Sequence, residues 1–280
     1  MLVRAPAKIN LFLRVGSRRA DGYHSIETLF HAIGLYDDLT LKPAKTLSFR
    51  ATGIPSPSSS GNLVHRAAQL LRQETGCIRG AMIRLHKRIP LGAGLGGGSS
   101  DAAATLIGLN RLWHLGLSRK RLLALAARLG SDVPFFLQGG TAVGTGRGER
   151  LRPIPSRLRA WAVLLKPSFG VSTKDAYAAL DRVKSRPRPS VSLGAIERAV
   201  HRGNLTALRV HNDFEAVVFR MHPSLARLKS SLLDAGATTA FMTGSGSTVV
   251  GLFIPGGQAR RAARKSAGRG IWSAAAPLSR

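Results

Sequence analysis

Apolar and polar residues alternate near the N-terminus, with Ile9, Leu11 and Leu13 on one phase and Leu39 and Leu41 repeating it further on. This period of two predicts strands separated by turns. The stretch 55–61, PSPSSSG, predicts a surface loop. Asn62 behind it is placed to cap a helix whose apolar face runs through Val64, Ala67, Ala68, Leu70 and Leu71. Residues 81–87 return to strand alternation. From about 100 to 115 the apolar positions Ala103, Leu106, Leu109, Leu112 and Trp113 recur at helical spacing, a stripe that predicts core and gives Trp113 no chemistry. A further helix is expected over 118–129, ending at Gly130 with Pro134 shortly beyond. The Pro- and Arg-rich stretch 151–159 predicts a boundary that divides the chain into 1–155 and 156–280. Beyond it, 161–165 reads as a buried strand. Helices are expected to start near Ser172, Ser192 and Asn204, with KSRPRPS at 184–190 as a linker. The pattern as a whole is a first half that alternates strands and helices, then a helical second half.

With 280 residues and 44% apolar side chains, the chain can bury one large domain or two smaller ones. No apolar run approaches the roughly 20 residues that cross a bilayer, and MLVRAPAKIN reads as neither a signal nor a transit peptide, so a cytoplasmic protein is expected. The lone Cys77 offers neither an internal disulfide nor a zinc site. Formal charge is the outlier: 42 Lys and Arg against 14 Asp and Glu give +28, which favours anionic partners. Nucleic-acid binding and a solvated arginine-rich surface both fit. The second is the simpler reading, because the basic residues are spread along the chain without a nucleic-acid motif or a stacking aromatic pair. A polyanionic metabolite also gains from such a field.

The richest stretch is 90–104, PLGAGLGGGSSDAAA, between an expected strand and an expected helix. Glycines at 92, 94, 96, 97 and 98 allow close backbone approach and positive φ, and the free N–H groups of a following helix make an anion site. A plain flexible turn is the bland alternative. Three phosphate-binding classes compete for the loop. The missing lysine of the GKS/T ending speaks against an ordinary P-loop. Gly92, Gly94 and Gly97 match the dinucleotide fingerprint, but no Asp or Glu occurs from 102 to 131 to hold a ribose. A third possibility is a nucleotide kinase built on an unrelated Gly/Ser-rich loop.

This loop resembles the second motif of the galactokinase, homoserine kinase, mevalonate kinase and phosphomevalonate kinase (GHMP kinase) superfamily. More closely, the segments PAKINLFLRVGSRRADGYHSIETLF, GNLVHRAAQLL, KRIPLGAGLGGGSSDAAA, LGSDVPFF, GVSTKDAY, HNDFE and TGSGS are similar to those of the 4-diphosphocytidyl-2-C-methyl-D-erythritol kinase family, in the same order from Ala5 to Leu252. The resemblance implies an α+β, two-domain GHMP-kinase-like fold with the active site in the interdomain cleft, an N-terminal ATP-binding domain, and phosphorylation of a diphosphocytidyl small molecule by ATP and Mg2+ in non-mevalonate isoprenoid synthesis. It makes Asp132 the catalytic base and Lys8 its partner; local sequence alone allows a helix-capping aspartate and a surface lysine. Asn10, one strand period from Lys8, is a hydrogen-bonding companion.

By the same resemblance Tyr23, His24, Thr173 and Tyr177 belong to the acceptor site, where two aromatic rings stack on cytosine and His24 gives a hydrogen bond; each ring alone reads as half-buried packing. Adenine is expected near Asn62 and Lys87. The triphosphate is expected across Pro90, Leu91, Gly92, Ala93, Gly94, Leu95, Gly96, Gly97, Gly98, Ser99 and Ser100. Some relatives hold magnesium with a glutamate, and no Glu of this chain can be assigned that role. Gly244, Ser245 and Gly246 resemble a third motif that buttresses the phosphate loop. Two other functions stay open on sequence: another kinase of the superfamily, or a basic nucleic-acid-binding protein on a kinase scaffold.

Overall fold

The computed structural model describes residues 1–56, 61–183, 189–254, 256–268 and 270–279. Most of the expected loop at 55–61 and of the linker at 184–190 therefore lies outside the described residues. The strands are β1 (Leu2–Arg18), β2 (His24–Ala44), β3 (Leu47–Gly53), β4 (Gly80–Lys87), β5 (Thr141–Thr145), β6 (Arg150–Pro153), β7 (Trp161–Pro167), β8 (His211–Asn212), β9 (Thr239–Met242), β10 (Val249–Phe253) and β11 (Ile271–Pro277). The helices are α1 (Leu63–Thr75), α2 (Gly97–Leu112), α3 (Arg119–Leu129), α4 (Val133–Gln138), α5 (Thr173–Asp181), α6 (Leu193–Arg202), α7 (Glu215–Met221), α8 (Pro223–Asp234) and α9 (Gly256–Ser266). None of the described helices is long and apolar enough to cross a membrane.

Two compact units result, and their chain segments interleave. The first comprises Met1–Ala7, Leu35–Leu91 and Gly96–Gly139; the second comprises Lys8–Gly34, Gly92–Leu95 and Gly140–Arg280.

In the first unit β3 pairs parallel with β4, and β4 pairs antiparallel with the second half of β2, Asp38 opposite His86 and Leu41 opposite Ile83. Helices α1 to α4 pack together beside these strands. Strand alternation is clean in β4: Ala81, Ile83, Leu85 and Lys87 are buried, while Met82, Arg84 and His86 face water. Helix α1 follows its sequence pattern, with Asn62 at the N-cap accepting a hydrogen bond from Val64 N and with Val64, Ala67, Ala68, Leu70 and Leu71 buried. Helix α2 starts at Gly97, three residues before the expected position, behind Gly96 in the left-handed conformation at its N-cap. Trp113 is buried and donates from Nε1 to Gly80 O at 3.1 Å, a packing role as expected. Pro134 does not stop a helix but sits in the first turn of α4, which the sequence pattern missed.

The second unit holds two sheets. In one, β6, β5, the first half of β2, the second half of β1 and β8 lie side by side, β5 antiparallel to β2 and β8 parallel to β1. The other is antiparallel, in the order β11-β7-β10-β9. Helices α8 and α9 pack on it, and its core includes Val163, Leu165, Leu225, Leu232, Met242, Val249 and Phe253. The largely helical second half expected from sequence is thus corrected: five strands, β7 to β11, lie in it, of which only the one at 161–165 was expected. The helix expected at Asn204 is also absent. Asn204 Oδ1 does accept from Ala207 N at 3.0 Å, as a cap would, but the chain then extends so that His211 and Asn212 pair with Phe12 and Leu13. The helices behind Ser172 and Ser192 form as expected, each serine accepting from the third amide of its helix.

Candidate active site

The glycine loop combines left-handed turns with anchoring apolar residues. Gly92, Gly94 and Gly96 have φ of 58°, 72° and 71°, while Ala93 and Leu95 between them are 2% and 0% exposed. Small and apolar positions thus turn down and the backbone turns up, a conformation that side chains at the glycines would strain. Gly94 has a second constraint, since a Cβ there would lie 2.1 Å from Thr243 O. The expected buttress is therefore seen: the Thr243–Gly246 turn packs directly on the loop. The loop runs into α2, whose N-cap Gly96 supplies no side chain to the first-turn amides and whose first turn carries no acid. These amides and the helix dipole suit an anion. Ser100 in that turn is 1% exposed, and its hydroxyl has no hydrogen-bond partner among the described residues. Ser99 beside it is half-buried, Gly98 has room around it, and Leu91 behind Pro90 is exposed.

Lys8 is buried, 3% exposed, which corrects the surface reading that its local sequence allows. Burial of an ammonium requires compensating dipoles. Its Nζ donates to Asn10 Oδ1 at 2.7 Å and lies 5.4 Å from the Phe30 ring centre. Asn10 in turn donates from Nδ2 to Thr28 Oγ1 at 2.8 Å and from its amide to Thr243 Oγ1 at 3.0 Å. The Lys8 amide donates to Leu95 O at 3.0 Å. PAKIN, the glycine loop and TGSGS, far apart in sequence, therefore meet in one network. Asp132 is half-buried at the N-cap position of α4, yet its side chain makes no capping hydrogen bond, which sets aside the capping reading.

The aromatic residues form a second group. The His24 ring stacks on Tyr177 with centres 4.8 Å apart and planes 16° apart, and Tyr177 meets the Phe214 ring edge-on at 4.9 Å. His24 Nε2 lies 2.8 Å from Asp181 Oδ1, which holds the imidazole in a fixed orientation. Tyr23 is 56% exposed and lies under the Arg147 guanidinium at 5.0 Å. Thr173 Oγ1 is 2.9 Å from Ser245 Oγ, tying α5 to the TGSGS turn. Asp181, Phe214, Arg147 and Thr243 were missed from sequence; HNDFE and TGSGS carried the signal for two of them, and nothing local pointed to the others.

Asn62 spends its side-chain oxygen on Val64 N, 3.0 Å away. Lys87 is 2% exposed and donates from Nζ to Asp37 Oδ2 at 2.5 Å and Asp101 Oδ2 at 2.7 Å. Neither aspartate stood out in the sequence. Burial pushes the Asp101 carboxyl up, to about 7, with the Lys87 charge opposing this and Asp37 adding to it.

The GHMP kinase N-terminal domain model matches residues 62–140 and the GHMP kinase C-terminal model matches 192–269. A protein of Rhodococcus jostii named 4-diphosphocytidyl-2-C-methyl-D-erythritol kinase is 43% identical over 279 residues, covering 97% of this chain and 89% of its own. The kinase of that name from Moorella thermoacetica is 45% identical over 267 residues, covering 93% of each. The chain belongs to the 4-diphosphocytidyl-2-C-methyl-D-erythritol kinase family of GHMP kinases. A crystal structure titled 4-(cytidine 5'-diphospho)-2C-methyl-D-erythritol kinase superposes with a TM-score of 0.85 at 39% identity over the whole of both chains. As a GHMP kinase the protein is an ATP-using small-molecule kinase, and its mixed helix and sheet fold is the one the sequence motifs implied.

Proposed function

We propose that the protein transfers the γ-phosphoryl group of ATP to the 2-hydroxyl of 4-diphosphocytidyl-2-C-methyl-D-erythritol, giving the 2-phosphate and ADP. The observation that carries this reading is the joint network of Lys8, Asn10, Leu95, Gly94 and Thr243, which ties a cation and its amide partner to a glycine loop open at its backbone. In this reading the loop amides and the first turn of α2 take the triphosphate, and the segments around Asn62 and Lys87 flank the adenine. Asp132 accepts the hydroxyl proton as the acceptor oxygen attacks phosphorus, while the bond from phosphorus to the ADP oxygen breaks. Lys8 stabilises the developing negative charge. Asn10, Tyr23, His24, Thr173 and Tyr177 hold the diphosphocytidyl end of the acceptor.

Magnesium in kinases is held mainly by phosphates and water, with one or two protein groups. Among the described residues no three His, Cys, Asp or Glu side chains cluster as a metal cage. The buried, unpartnered Ser100 hydroxyl fits the lighter requirement, so Ser99 and Ser100 are the residues that would hold it. When bound, the ion neutralises charge on the β- and γ-phosphate oxygens. The test is ADP release by purified protein with MgATP and each of three acceptors. The diphosphocytidyl compound should be turned over, with mevalonate and homoserine very poor; efficient use of either base-free acceptor would overturn the assignment.

A further inference from the structure

We propose that Asp37, Lys87 and Asp101 form a buried clasp that holds the two ends of the glycine loop at the spacing a polyphosphate requires, with Lys87 as a positioning residue and not a nucleotide ligand. The inference rests on the loop being the ATP phosphate site.

Strand parity explains why the lysine is inside. Lys87 continues the buried face of β4 after Ala81, Ile83 and Leu85, and Asp37 shares the buried face of β2 with Leu39 and Leu41. A cation on a core face is tolerated only with counter-charges. The counter-charges found here come from the two ends of the loop's own frame. Asp37 accepts Lys87 Nζ on Oδ2, and on Oδ1 it accepts the amides of Arg88 at 2.5 Å and Ile89 at 2.9 Å, so it fixes the backbone entering the loop. Asp101 sits one turn into α2, where the chain leaves the loop, and accepts the same ammonium. Gly97 completes the closure, since a Cβ there would meet Ile89 Cγ2 at 2.8 Å and Lys87 Nζ at 3.2 Å. Residues 87–89 and 97–101 are therefore cross-linked by three side chains that are 0%, 1% and 3% exposed. Buried ion pairs seldom outperform well-packed apolar residues for stability, but they do fix one geometry. With its ammonium enclosed between two carboxylates, Lys87 acts on phosphate only through the loop it spaces.

The test uses the full chain as Lys87→Met and Asp101→Asn, with two readouts. In ligand-free protein, amide hydrogen exchange over 92–98 should quicken about tenfold or more in Lys87→Met, and less in Asp101→Asn, because the loop ends are released. Calorimetry should show ADP weakened about tenfold or more and adenosine by no more than about twofold, since only phosphate contacts depend on loop spacing. Unchanged loop exchange with ADP and adenosine weakened alike would overturn the clasp and make Lys87 a direct nucleotide contact. Unchanged exchange and unchanged affinities would also overturn it, leaving Lys87 to packing. If Lys87→Met does not fold, Asp101→Asn decides by the same two measurements. A wild-type protein that binds no ADP would overturn the ATP reading of the loop, and the exchange result would then judge the clasp alone.

Discussion

The glycine loop and the aromatic cluster, the two recognition regions of the proposed function, are built in opposite ways. The loop presents backbone: its glycines remove side chains, and its shape is set from below by Ala93, Leu95 and the Thr243–Gly246 turn. The cluster presents side chains: His24, Tyr177 and Phe214 are locked ring against ring, with Asp181 fixing the imidazole. A backbone site is vulnerable to added atoms, whereas a stacked site is vulnerable to removed ones. A backbone site accepts any polyphosphate, so the proposed function assigns selectivity for the acceptor to the rings.

The largest effect should come from a change that touches neither region. Asp132→Asn is expected to leave the KM for ATP and for acceptor close to wild type while cutting turnover by roughly 10²–10⁴, the usual worth of a general base. Near-normal turnover by the folded variant would remove Asp132 from the mechanism. Next is the smallest possible addition to the loop. Gly94→Ala forces a left-handed residue and a Cβ contact of 2.1 Å with Thr243 O, which should cost roughly 2–5 kcal/mol in stability or ATP binding. Thermal unfolding together with ATP titration reads both, and a variant with normal values for each would show that the loop and the turn are not packed as described. A removal from the cluster follows. Tyr177→Ala should weaken the acceptor by roughly 1–3 kcal/mol and leave ATP affinity nearly unchanged. Equal losses for both substrates would erase the distinction between the two regions.

The same contrast decided what could be read from sequence. Regular local signals survived: the Asn62 cap, the apolar stripe of α1 and the glycine-rich turn before a helix all follow from spacing within a dozen residues. Of the four-stranded sheet only β7 was legible, as the buried run 161–165; β9 and β10 are short and buried on both faces, with no alternation to betray them, and β11 is rich in alanine, which favours helices. At Asn204 a correct capping signal was overruled by a strand pairing with residues about 200 positions earlier. Lys8 read as solvated because one strand-period neighbour, Asn10, cannot by itself bury an ammonium, and Thr28 and Thr243, which hold Asn10 in place, come from segments distant in sequence. The Asp37, Lys87 and Asp101 cluster was half legible. Parity with neighbouring leucines and isoleucines places Asp37 and Lys87 on buried faces, but a pairing across 50 residues has no local signature. In the aromatic cluster His24 and Tyr177 were singled out by family resemblance, while Asp181, which lies 2.8 Å from the His24 ring, carries no motif at all.

Inhibition by CDP tests the division of labour most directly, because CDP carries the base and diphosphate of the acceptor without its hydroxyl. Initial rates should be measured against CDP with acceptor varied at saturating ATP, and then with ATP varied at saturating acceptor. CDP should compete with the acceptor in the first series, and saturating acceptor should abolish the inhibition in the second. CDP that instead competes with ATP, or does not inhibit at all, would contradict the assignment of cytidine recognition to the aromatic cluster.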